Sequence, residues 1–81
     1  MSYPKLLRDH ITLALLNQSR GNIAAAKMNV EIYLQNPVGI GEHPDVLAAI
    51  QDQLDVIAKE EERIQVINKH FSVPPVSSTT S

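Results

Sequence analysis

The sequence predicts an all-α fold: an antiparallel helical hairpin that assembles into a helical bundle by self-association. Three observations lead there. From Val46 to Phe71, the positions Leu47, Ile50, Leu54, Ile57, Glu61, Ile64, Asn68 and Phe71 alternate by three and four, which is the spacing of a seam along one helix face. Upstream, Leu13, Leu16, Arg20, Ile23, Lys27, Val30 and Leu34 repeat the same alternation. Between the two seams lie nine residues, Asn36 to Pro44, with two glycines and two prolines, long enough to reverse the chain.

The first helix is expected over 4–35. Ser2 and Pro4 suit a helix start, the serine as a cap and the proline in the first turn. Gly21 interrupts an otherwise helix-forming stretch at a cost of about 1 kcal/mol relative to alanine. The heptad phase carries across it, so one continuous helix is expected, with a bend at Gly21 as the weak spot. Pro37 disfavours helical dihedrals at Asn36 and ends the helix by Gln35.

A loop over 36–44 follows, in which Val38 and Ile40 are expected to fold back over the open end of the helix pair. The second helix is expected over 45–71, with Asp45 favouring its N-terminus. Residues 72–81 have no core-forming period and end in small polar residues, which predicts a disordered tail.

Setting Leu34 opposite Leu47 matches the two seams along their length and places Arg20 against Glu61. An Arg20–Glu61 ion pair is therefore expected as the register-setting contact; its net contribution is small because desolvation opposes attraction. Apolar residues also lie off the seams: Leu7, Ile11 and Leu15 on the first helix, Val56, Val66 and Ile67 on the second. An isolated pair of helices leaves these exposed, which marks them as the expected interface. The chain has 81 residues and no cysteine, so neither a large core nor a disulfide stabilises it, and oligomerisation is the expected remedy.

Composition argues against several functions. A formal net charge of −2 disfavours a nucleic-acid-binding domain; Lys5, Arg8, Arg20 and Lys27 form only a thin basic face without stacking aromatics. No apolar run has the length of a membrane span, and MSYPKLLRDH is not the start of a secretion signal, so a cytoplasmic location is expected. The same register brings His10 near His70 with Asp9 close by, short of the four ligands a zinc site takes. Val38-Gly39-Ile40-Gly41 lacks the following Lys-Ser or Lys-Thr of a phosphate loop. No catalytic, cofactor-binding or metal-binding residues are assigned, and the chain is read as a non-enzyme.

The run Asn29-Val-Glu-Ile-Tyr-Leu-Gln-Asn-Pro-Val-Gly-Ile-Gly-Glu-His-Pro-Asp45, with the acidic amphipathic helix after it, resembles small uncharacterised proteins of tailed phages, including those infecting marine cyanobacteria. The resemblance covers residues 20–71 and rests on the NPVGIGEHPD-type loop. It implies a phage-encoded chain in the cytoplasm of an infected host, or associated with the virion, and supplies no catalytic residues. The function expected from all this is protein–protein interaction or assembly, with a second copy, a phage structural protein or a host protein as partner. The alternatives are a host-directed adaptor or inhibitor seated in a groove of a host protein, and a weak nucleic-acid-binding regulator.

Overall fold

The computed structural model describes residues 3–36 and 45–71, with side chains from Leu7 onward. Two helices make up the described residues, α1 over Tyr3–Gln35 and α2 over Val46–His70, packed as an antiparallel hairpin. Residues 1–2, 37–44 and 72–81 lie outside the described residues, and with them the expectations for a Ser2 cap, for Val38 and Ile40 over the helix ends, and for a disordered tail.

Each helix end has a local cause. Asp45 caps α2: the Ala48 N–H donates to its carboxylate at 3.0 Å, which satisfies one of the four unpaired amides of the first turn. At the other end the Phe71 N–H reaches the Ile67 carbonyl at 2.8 Å, and Lys69 and His70 place basic side chains at the negative end of the helix dipole. The α1 ladder closes with the Asn36 N–H on the Ile32 carbonyl at 2.8 Å, one residue before Pro37 removes a donor. Helix α1 runs unbroken through Gly21, and a Cβ placed there meets nothing within 4 Å.

The packing seam follows strict heptads. On α1 every buried or half-buried side chain lies at one of two alternating positions: Asp9, Leu16, Ile23 and Val30 (position a), and Thr12, Ser19, Ala26 and Tyr33 (position d). On α2, Ile50, Ile57 and Ile64 take position a and Val46, Gln53, Glu60 and Ile67 position d, with Ala49 alone half-buried beside them. The a residues Leu16, Ile23, Val30, Ile50, Ile57 and Ile64 are those read from the sequence; Asp9 is added to them, and Phe71, read as the last seam residue, is exposed. The d residues are not those read: the sequence reading paired the a residues with Leu13, Arg20, Lys27 and Leu34 on α1 and with Leu47, Leu54, Glu61 and Asn68 on α2, each one residue C-terminal to the true d position, and all of these are exposed.

The physical reason is size and polarity. Small residues at 12, 19 and 26 let the helix axes approach closely, and polar residues at 53 and 60 find partners there. Thr12 needs none across the seam, because its hydroxyl donates to the Arg8 carbonyl one turn back at 2.8 Å. The result is a thin core. Among the described residues Leu16 and Ala26 are the buried apolar side chains, while twelve large apolar side chains are exposed, among them Leu47 at 74%, Leu34 at 60% and Met28 at 59%. The isoleucines and valines of the seam are only half-buried, and much apolar surface lies outside it.

Removing the α2 cap tests the helix-end assignment. Asp45→Ala is expected to cost about 1 kcal/mol, roughly 4–8 °C in Tm for a chain of this size, with Asp45→Asn retaining most of the stability in a thermal melt.

Candidate functional site

The first candidate is a polar cluster in the seam. Glu60 is 5% exposed, the most buried charged side chain among the described residues. Its Oε2 accepts from the Asn22 amide at 3.1 Å and from the Arg63 guanidinium, one turn on, at 3.2 Å. Its Oε1 is shielded and has no hydrogen-bond partner. Ser19, itself buried, stands beside it, and its hydroxyl is the largest influence holding the Glu60 carboxyl below its ordinary pKa. Burial opposes that influence, while Asn22, Arg63 and Lys59 reinforce it. A two-helix seam gives little depth of protein around the carboxylate, so the neighbouring donors outweigh desolvation and the acid stays charged.

One heptad away the motif recurs without charge: the Asn29 amide donates to the Gln53 carbonyl at 3.1 Å. Asn22 and Asn29 are seven residues apart on α1, and Glu60 and Gln53 are seven apart on α2. These two bonds define the register. A slip of one residue separates both pairs and leaves the Glu60 carboxylate shielded without its amide donor.

The register-setting pair read from the sequence, Arg20 and Glu61, is not what the structure brings together. Both side chains are exposed, Arg20 reaches Asn17 on its own helix at 3.4 Å, and Arg63–Glu60 is the ion pair formed among the described residues. The sequence signal for an acid in the seam was real but off by one residue, because Glu60, Glu61 and Glu62 are consecutive and the leucine at position 13 drew the seam towards Arg20.

The second candidate is apolar. Leu7, Ile11 and Leu15 from α1 meet Ile67 and Phe71 from α2 around an open groove of about 550 Å³, with Arg8 and Thr12 at its edge. Next to it, Leu15, Val66 and Ile67 line a smaller hollow of about 450 Å³ that is flanked by Lys59, Glu62 and Arg63. Five of the six residues read from sequence as an interface thus gather on one side of the hairpin. The sixth, Val56, is 36% exposed on α2 and lines neither hollow.

Among the described residues no group of three or more His, Asp or Glu side chains is placed to hold a metal ion. His10 and His70 are both exposed, and the His70 ring tilts at 58° against Phe71, 6.1 Å away. No described helix is long and apolar enough to cross a membrane.

The chain matches no protein-family model, no curated protein and no solved structure.

The seam cluster gives a pH signature. The Glu60 pKa is lowered in the fold from 4.5, so its stabilisation is fully present above that value and is lost as pH falls through the lowered folded pKa. Urea titrations below pH 4.5 should show Glu60→Gln losing less stability with falling pH than the parent does. Charge reversal separates the neighbouring acids: Glu61→Lys should leave the melting midpoint nearly unmoved, whereas Glu60→Lys should lower it strongly by setting a shielded cation beside Arg63.

Proposed function

We propose that this chain is a non-enzymatic assembly protein that works by associating with copies of itself, forming a helical bundle. The observation that carries the reading is the inverted distribution of apolar surface. Among the described residues two apolar side chains are buried and twelve large ones are exposed. Single exposed apolar residues are ordinary, but a contiguous set such as Leu7, Ile11 and Leu15 with Val66 and Phe71, gathered around the half-buried Ile67, is the mark of an interaction surface. A hairpin this small also hides too little of its chain to be stable alone, and a helix pair gains most by burying its outer faces against further helices.

The likeness of the loop and second helix to small tailed-phage proteins supports a phage-encoded component, acting in the infected host cell or within the particle. The open groove at the Phe71 end favours a second reading, a host-directed adaptor whose apolar groove meets a host protein. A nucleic-acid role has less support: Arg8, Arg20 and Lys27 are exposed on α1, but the net charge is −2.

Solution mass tests the proposal. Light scattering on a sizing column, run over a range of concentrations, should give a dimer or larger. A strict monomer of 8.9 kDa at every concentration would contradict self-association and leave the adaptor reading.

A further inference from the structure

The outward face of α1, opposite the hairpin seam, is itself a heptad row. Leu7, Ile11, Ala14, Gln18, Gly21, Ala25, Met28 and Ile32 alternate by four and three, all eight are exposed, and none is charged. The row is also symmetric in size. Read inward from its two ends it pairs Leu7 with Ile32, Ile11 with Met28, Ala14 with Ala25, and Gln18 with Gly21. Large faces large at the ends and alanine faces alanine further in, while at the centre the long Gln18 faces Gly21, where the missing side chain leaves it room. The centre of this symmetry falls between residues 19 and 20, next to the midpoint of α1, which spans Tyr3–Gln35.

Such a pattern complements itself under a two-fold rotation, as an isologous interface between identical chains requires. We propose that the partner on this face is a second copy of the chain, with the two α1 helices packed antiparallel along their full length about a two-fold axis near residues 19 and 20. The proposal rests on the self-association reading above and specifies its face and direction.

Three features support it. In the middle of the row Ala14, Gly21 and Ala25 let the helices come together, and the space beside Gly21 is open. At both ends large apolar side chains, each more than half exposed in the single chain, supply the area to be buried: Leu7, Ile11, Met28 and Ile32. On one flank the same two-fold sets His10 of one copy beside Glu31 of the other, twice per dimer, a complementary pair; the other flank carries Arg8, Leu15, Asn22 and Asn29 with no acid facing another acid. The dimer is then a layer of four helices, with both α1 helices inside and the α2 helices outside.

The absence of native cysteine makes cross-linking a clean test on the full chain. Facing residues across closely packed helices come within disulfide range. In the proposed dimer residue 14 of one copy faces residue 25 of the other, while two copies of residue 14 lie eleven residues apart along the axis, about 16 Å. Ala14→Cys and Ala25→Cys are therefore expected not to cross-link as single variants under mild oxidation, whereas the double variant should become a covalent dimer on a non-reducing gel.

Cross-linking of either single variant would show parallel packing and overturn the proposal. A dimer by light scattering that fails to cross-link in the double variant would also overturn it, leaving self-association through another face. A strict monomer by light scattering would remove both the proposal and the reading beneath it.

Discussion

The hairpin depends on a seam that is small at every second contact on α1 from Thr12 to Ala26, and polar at Gln53 and Glu60 on α2. Thr12, Ser19 and Ala26 leave room for a close approach of the helices, and the bonds from Asn22 to Glu60 and from Asn29 to Gln53 fill that room with matched polar groups. The neutral bond from Asn29 to Gln53 contributes only about 1 kcal/mol net. The larger effect of the pair is discrimination, since a slip of one residue in either direction leaves the shielded acid without its amide donor. Specificity comes from the seam, and the greater part of the apolar surface is left on the outside.

That division of labour shapes α1 in particular. Its inner face is slender at Ser19 and Ala26, and its outer face is slender at Ala14, Gly21 and Ala25. A helix narrow on two opposite sides suits a central place between two neighbours. One neighbour is α2. In the proposed dimer the other is the second copy of α1, and Gly21, costly as a helix residue, is offset by closer packing there.

Much of the fold is legible in the sequence. The alternation through Leu16, Ile23 and Val30, and through Ile50, Ile57 and Ile64, indicates two helices with one shared face, and Pro37 and Asp45 mark where they stop and start. The other half of each seam is not legible from hydrophobicity. Leu13 looks more like a core residue than Thr12, and Leu47 and Leu54 more than Val46 and Gln53, yet close approach favours the smaller or hydrogen-bonding neighbour. The same one-residue error turned Glu61 inward in place of Glu60. Leu7, Ile11, Leu15, Val56 and Val66 stand out in the sequence because they fit no seam, whereas Ile67 proves to be a seam residue, and the grouping of five of the six along one side required the geometry of both helices.

The central claim is that the chain reaches its full stability by covering its outer apolar faces with another copy. The most direct measurement is the concentration dependence of unfolding, followed by circular dichroism in urea or on heating. Unfolding linked to association shifts its midpoint upward as protein concentration rises. A midpoint that climbs steadily over a hundredfold range of concentration is the expected result. A midpoint independent of concentration, with a cooperative transition at the lowest dilution, would contradict the claim and show that the two-helix seam alone sustains the fold.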